Sequence, residues 1–186
     1  MFVVAMKKVA VFGNTGGGKS TLSKRLSEIT NLPLHPLDKI QYQSGGAEVP
    51  HEDYKRAHQK ILLTDQWIID GFGCMETVWQ RLDEADSLVF VDLPLHVHFW
   101  WVTKRLLTSK FKPPEGWPEK SPILKSAINC YRTLWLCHKY LTPRYRKYIE
   151  QAQSTKSVYH IKSIEQISQF LESITNDTNF EDVTPA

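Results

Sequence analysis

Cysteines are scarce in this sequence, and their spacing does not favour a metal or redox site. Only three occur in 186 residues: Cys74, Cys130 and Cys137. No two of them are separated by the two residues found in zinc-binding and thioredoxin-like motifs. We therefore predict reduced, mostly buried thiols.

Long apolar runs are also missing. No segment approaches the roughly 20 apolar residues that a membrane-spanning helix needs. The apolar residues 1–6 are too few for the core of a signal peptide. Lys7 and Lys8 also follow this stretch, whereas a signal peptide carries its positive charge first. The sequence therefore predicts a cytoplasmic protein.

A large excess of either charge is lacking as well. The chain has 23 Lys and Arg residues and 20 Asp and Glu residues, a net charge of +3. So small an excess does not favour a nucleic acid as partner. Because long apolar runs are missing, we expect no membrane partner either. Basic residues concentrate in residues 104–112 and 139–147, which suits either a phosphate-rich ligand or a solvated helix face.

Short apolar runs alternate with longer segments of helical periodicity, the pattern of an α/β domain with a parallel sheet covered by helices. The length favours a single domain, placed at residues 1–174. Strands are predicted at residues 9–12, 32–37, 67–69, 88–91 and 158–161, with the second at an edge because it contains prolines. Helices are predicted at residues 19–29, 51–64, 76–83, 96–108, 123–140, 144–153 and 164–174. Residues 41–50 and 111–122 are expected to be mobile surface insertions, and residues 175–186 a disordered tail.

The strongest motif lies between the first predicted strand and the first predicted helix. It matches G-x-x-x-x-G-K-[ST], in which glycines let backbone N–H groups turn inward around a polyphosphate. Lys19 is expected near the β- and γ-phosphates and Ser20 at a Mg²⁺ ion. The N-terminal dipole of the helix that begins here also favours the phosphate anion. The motif predicts a nucleotide site formed by Gly13, Asn14, Thr15, Gly16, Gly17, Gly18, Lys19, Ser20 and Thr21.

Carboxylates follow three of the other predicted strands, at Asp38, Asp70 and Asp92. Because ligands collect beyond the carboxyl ends of parallel strands, we expect all three near the phosphate site. Asp70 is expected to hold Mg²⁺ directly or through water, and Asp38 to orient or deprotonate a phosphate acceptor. Asp92 is expected to stabilise its local turn, with metal contact as the alternative.

Six segments together resemble adenylate-kinase-like P-loop proteins, described as topology modulation or FlaR-related proteins, in the nucleotide-kinase branch. The segments are residues 13–21, 34–38, 67–71, 89–94, 104–105 and 159–163. The resemblance implies a three-layer P-loop NTPase fold with a five-stranded parallel sheet in the order 2-3-1-4-5. It also implies ATP and Mg²⁺ as cofactors, an acceptor-side cover at about residues 41–64 and a lid at about residues 110–122.

Two positions depart from the adenylate-kinase pattern. The arginine that grips the acceptor phosphate is missing from the run after Asp70. Either Arg81 replaces it, or the acceptor is not AMP. Of two arginines four residues apart on the lid-bearing helix only Arg105 is present, because Trp101 occupies the earlier position. We expect Arg105 to approach the transferred phosphoryl group when the lid closes, with Trp117 as a reporter of that closure.

These features predict an ATP-dependent phosphotransferase that moves the γ-phosphoryl group of ATP to a small nucleotide or to a hydroxyl acceptor. A shikimate-like or gluconate-like hydroxyl needs a base, which Asp38 would supply. The expected catalytic residues are Lys19, Asp38, Arg81 and Arg105. The alternative is a regulatory protein that binds or hydrolyses ATP without a small acceptor. In either case we expect a monomer or a homodimer.

Overall fold

A parallel five-stranded sheet forms the centre of the protein. A computed structural model describes the chain at residues 6–43, 47–109 and 123–181. The strands are β1 (Lys8–Gly13), β2 (Leu34–Pro36), β3 (Trp67–Asp70), β4 (Ser87–Val91) and β5 (Ser157–Ile161). Every neighbouring pair is parallel, and the order β2-β3-β1-β4-β5 confirms the expected topology. β2 lies at an edge, where the missing N–H of Pro36 breaks no ladder.

Helices cover both faces of this sheet. They are α1 (Lys19–Thr30), α2 (Leu37–Gln41), α3 (His51–Leu62), α4 (Met75–Glu84), α5 (Leu95–Ser109), α6 (Ile123–Leu136), a π-helical turn (Cys137–Leu141), α7 (Thr142–Ala152) and α8 (Ile164–Glu181). Successive strand side chains point to opposite faces, so β1 contributes to two cores. Val9 and Val11 pack with residues of α1 and α8, whereas Ala10 and Phe12 pack with residues of α3, α4 and α7. The expected three-layer architecture follows.

The region predicted as one helix over residues 123–140 is more complex. α6 ends at Leu136, and the π-helical turn over Cys137–Leu141 leads directly into α7. Pro143 lies in the first turn of α7, a position at which proline is common. Helical periodicity continues through the whole region, which explains why the sequence did not indicate the change of helix type.

The C-terminal segment corrects the expectation of a disordered tail at residues 175–186. α8 continues to Glu181, so residues 175–181 are helical. Ile174 is buried, and the Thr175 hydroxyl donates to the Leu171 carbonyl at 2.9 Å. The polar residues that indicated disorder therefore continue a helix whose apolar side is packed on the core. Residues 182–186 lie outside the described residues.

The two segments expected to be mobile insertions differ in how much of them is described. Residues 41–50 contain a short antiparallel bridge between Tyr42 and Glu48. Beside it, the Gln43 N–H donates to the Ala47 carbonyl at 2.8 Å. The proposed lid at residues 110–122, including Trp117, lies outside the described residues. Among the described helices, none is both long and apolar enough to cross a bilayer.

Candidate active site

The loop between β1 and α1 depends on glycine at both of its ends. Gly13 has φ +137°, and a Cβ there would lie 2.2 Å from the Val91 carbonyl oxygen. Gly18 has φ +73°, and a Cβ there would lie 2.6 Å from the ring of Trp101. Only glycine combines these backbone angles with such close neighbours. β4 and α5 therefore pack so closely against the backbone of the predicted P-loop that they leave no room for a side chain at either position.

α5 supports one side of the P-loop through a residue that the sequence did not indicate. His98 is buried, and its Nδ1–H donates to the Thr15 carbonyl at 2.8 Å. Burial lowers the pKa of His98. The ring is therefore neutral, and its Nδ1–H points at the loop carbonyl. Trp101, which replaces the first lid-helix arginine, lies half-buried against Gly18.

α6 lies against the same loop from another direction. The buried side chain of Asn14 donates from Nδ2 to the Leu134 carbonyl at 3.0 Å and accepts the Thr15 N–H at 2.8 Å. Cys130 places its Sγ 3.8 Å from the Thr15 hydroxyl and accepts from Arg105 Nη2 at 3.6 Å. The sequence did not indicate that Asn14 and Thr15 contact α6, because Leu134 and Cys130 lie 120 and 115 positions away along the chain.

Lys19 lies at the meeting point of the charged groups. Its Nζ donates to the Asn14 carbonyl at 2.7 Å. Burial lowers the pKa of Lys19, whereas the nearby carboxylates of Asp70 and Asp38 act in the opposite direction. Arg105 is close enough to affect the pKa of Lys19 as well. The structure thus brings together Lys19, Asp38, Asp70 and Arg105, which the sequence selected from four separate elements.

The two carboxylates of this cluster have different surroundings. Asp70 ends β3 and is only 4% exposed, whereas Asp38 lies in the first turn of α2 and keeps more solvent access. Burial raises the pKa of Asp70, opposed by the charge of Lys19 and a hydrogen bond from Ser20. Burial also raises the pKa of Asp38, opposed by Lys19 and Arg105. Asp70 is therefore the inner carboxylate and Asp38 the outer one.

The inner carboxylate fits a small divalent cation. Asp70 Oδ1 is buried without a hydrogen-bond partner among the described residues, and Ser20 is hydrogen-bonded to the same carboxylate. Mg²⁺ prefers such oxygen ligands and is commonly held by one or two carboxylates together with substrate phosphates. No cluster of three or more His, Cys, Asp or Glu side chains suited to a metal occurs in the described ranges. The oxygens of Ser20 and Asp70 suit a cation that also binds the nucleotide.

The third strand-end carboxylate is already paired. Asp92 accepts from Arg146 through Nε at 2.8 Å and Nη2 at 2.9 Å, and His160 Nε2 lies 2.9 Å from its Oδ2. Burial acts to raise the pKa of Asp92, but the hydrogen bonds from Arg146 and His160 hold it below its usual range. Asp92 therefore ties the end of β4 to α7 and β5, and the sequence did not indicate either partner.

Arg81, expected to grip an acceptor phosphate, is completely buried. Its Nη2 donates to the carbonyl oxygens of Gly71 at 2.7 Å and Phe72 at 2.9 Å. These residues form the turn that follows Asp70. The guanidinium therefore lies beneath this turn and supports it, without a surface that an acceptor can contact in this structure.

Comparison with solved structures identifies the fold. A shikimate kinase from Bacteroides thetaiotaomicron aligns with a TM-score of 0.53 and 16% identity, over 94% of this chain and 99% of that one. A shikimate kinase from Acinetobacter baumannii in complex with shikimate aligns with a TM-score of 0.58 and 13% identity, over 96% of both chains. No family model and no curated protein sequence matches the chain. The chain thus has the P-loop kinase fold.

Proposed function

We propose that this protein is an ATP-dependent phosphotransferase that acts on a small acceptor. The observation that carries the proposal is the position of Lys19 between the P-loop backbone, two carboxylates and Arg105. Phosphoryl transfer is catalysed chiefly by positioning and by charge stabilisation, and this cluster supplies both. Its fold neighbours include kinases, which supports the same reaction class.

Each residue of the cluster has a role in this proposal. The P-loop N–H groups and Lys19 bind the phosphates of ATP, and Lys19 stabilises the charge that develops during transfer. Ser20 and Asp70 would hold Mg²⁺, which neutralises phosphate charge when it is bound. Arg105 would approach the transferred group from α5. His98 and Asn14 keep the loop in place for these contacts.

Asp38 is the candidate base for an acceptor hydroxyl. It is the more accessible carboxylate, and it lies close enough to Lys19 and Arg105 for their charges to affect its pKa. Arg81 is fully buried and its Nη2 donates to backbone carbonyl groups, so the arginine expected for an acceptor phosphate is not available at this turn. Both observations favour a hydroxyl acceptor over a nucleoside monophosphate. A fold neighbour with bound shikimate is consistent with this choice.

A screen of acceptors tests the proposal. Purified protein is incubated with ATP, Mg²⁺ and, in turn, nucleoside monophosphates, nucleosides, sugars and small hydroxy acids, and ADP formation is measured. We expect one hydroxyl-bearing compound to stimulate ADP formation strongly. Uniform slow hydrolysis with every compound would instead support the regulatory alternative, and stimulation by a nucleoside monophosphate alone would contradict the hydroxyl assignment.

A further inference from the structure

Large apolar side chains are concentrated on the outward sides of α5, α6 and the π-helical turn. Five of them are between 42% and 65% exposed. Basic residues occur on the same helix sides at spacings of three and four. We call this set the outer face: Trp100, Lys104 and Leu107 on α5, with Arg132, Trp135, Leu136, Lys139 and Tyr140 on α6 and the turn.

The other sides of these helices are already occupied. On α5, His98 and Trp101 face the P-loop, and Phe99 stacks on Tyr131 of α6 with ring centroids 5.7 Å apart. On α6, Cys130 also lies against the P-loop. The outer face is therefore the side left after each helix has packed on the loop and on its neighbour. Monomeric proteins rarely expose several large apolar residues together without a binding role.

Charge on these helices is of one sign. Residues 95–109 and 123–141 contain five Lys and Arg residues and no Asp or Glu. The small net charge of +3 therefore conceals a strong separation of charge along the chain. The expectation of no membrane partner relied on the absence of a long apolar run and did not consider this separation. Within the outer face, Lys139 Nζ lies 5.1 Å from the ring centroid of Tyr140, which leaves the cation beside an exposed aromatic.

We propose that the outer face binds the surface of an anionic phospholipid membrane. Trp and Tyr favour the boundary between lipid headgroups and acyl chains, and leucines bury into it. Lys and Arg bury their apolar stems while their charges reach anionic headgroups. The two leucines distinguish this face from a base-stacking surface for single-stranded nucleic acid, which uses aromatic rings. Two copies of a uniformly basic face would repel each other. The inference does not depend on the proposed reaction.

Vesicle co-sedimentation of the full chain tests the membrane proposal at about 0.1 M salt, where the Debye length is about 10 Å. We expect binding to vesicles rich in phosphatidylglycerol and none to pure phosphatidylcholine. Each basic residue near an anionic surface contributes about fivefold to binding. Lys104→Gln, Arg132→Gln and Lys139→Gln combined should therefore weaken binding about a hundredfold. The matched control Arg25→Gln, Lys60→Gln and Lys162→Gln changes exposed charges elsewhere and should leave most of the binding.

A second pair of variants tests the apolar contribution. Trp100→Ser with Trp135→Ser should weaken binding at least about tenfold, because interfacial binding scales with buried apolar area. Leu63→Ser with Ile164→Ser removes exposed apolar side chains elsewhere and should have little effect. The proposal is overturned if anionic vesicles bind no protein, or if face and control variants behave alike. Tighter binding to single-stranded oligonucleotide, or a dimer lost in the tryptophan variant, would also overturn it.

Discussion

The carboxylates Asp38 and Asp70 lie near one ammonium group yet differ in accessibility, which gives them separable roles. Asp70 is buried beside Ser20, whereas Asp38 retains solvent access. We predict that Asp70→Asn raises the Mg²⁺ concentration needed for half-maximal turnover, because a carboxylate ligand is lost. Asp38→Asn should mainly lower kcat with acceptor present and leave the Mg²⁺ requirement nearly unchanged. Titration of Mg²⁺ in both variants measures the difference.

The exposed Asp65 provides the control for this pair, and Asp65→Asn should resemble the wild type in both quantities. Equal shifts in the Mg²⁺ requirement for the Asp38 and Asp70 variants would remove the distinction between an inner metal ligand and an outer base.

A buried histidine outside the active site makes stability depend on pH. His58 has 0% exposure, and neither ring nitrogen has a hydrogen-bond partner among the described residues. Burial, with the charge of Arg81, lowers the pKa of His58 from 6.5 to about 4. Its ring therefore stays neutral in the folded protein and takes up a proton on unfolding below pH 6.5. The stability contribution is complete above pH 6.5 and is lost as pH falls toward 4.

Replacement of His58 should weaken the dependence of the free energy of unfolding on pH. At pH 5 the shift corresponds to about 2 kcal/mol of stability lost relative to pH 7. We predict that this loss, measured by urea unfolding at both pH values, is smaller by that amount in His58→Leu. The exposed His96 serves as control, and His96→Gln should keep the wild-type dependence. The same fall in stability in wild type and His58→Leu would contradict the assignment.

Among the elements, α6 meets the P-loop through residues that precede the π-helical turn. Leu134, just before this turn, is fully buried, and its carbonyl accepts from Asn14 Nδ2. A buried carbonyl without a donor is costly, so Asn14 both satisfies the helix and joins it to the phosphate site.

Asn14→Asp tests this connection because it keeps the side-chain shape and the acceptor for the Thr15 N–H. It removes the donor to the Leu134 carbonyl and should lower the free energy of unfolding by about 1–3 kcal/mol. We also expect Asn14→Asp to speed amide hydrogen exchange relative to the wild type, and to do so more in the π-helical turn than in the sheet. Mass spectrometry measures this exchange. Ser23→Ala, which removes a buried hydroxyl without a partner, should show no such local change. Uniform exchange in Asn14→Asp would contradict the connection.

The sequence predicted the sheet well and the helix contacts poorly. Buried parallel strands leave continuous apolar runs, so all five strands and the order implied by the resemblance are confirmed. The P-loop was predictable because its chemistry is local. The contacts of His98, Cys130 and Leu134 with that loop depend on packing between distant elements, and no periodicity records them. The burial of Arg81 was unpredictable for the same reason, because its position on α4 gave no sign of its backbone partners at Gly71 and Phe72.

At the scale of the whole molecule, the fold gathers its charged groups at one edge of the sheet. The carboxyl ends of β1, β2 and β3 place Lys19, Asp38 and Asp70 together. β4 contributes Asp92, which is held by Arg146 and His160 and fixes the neighbouring elements. The helices beyond β4 carry the basic outer face. Parallel topology thus explains why residues from separate strand ends meet at the site.

Dependence of phosphoryl transfer on Lys19 is the most direct test of the proposed function. Transfer of the γ-phosphoryl group from ATP to the acceptor found by the screen is measured for wild type, Lys19→Ala and Lys24→Ala, an exposed lysine on the same helix. Circular dichroism of each protein monitors the fold. We predict that Lys19→Ala keeps the wild-type spectrum and loses about a hundredfold or more in kcat, while Lys24→Ala resembles the wild type. Wild-type transfer by a folded Lys19→Ala protein would contradict the assignment of the active site.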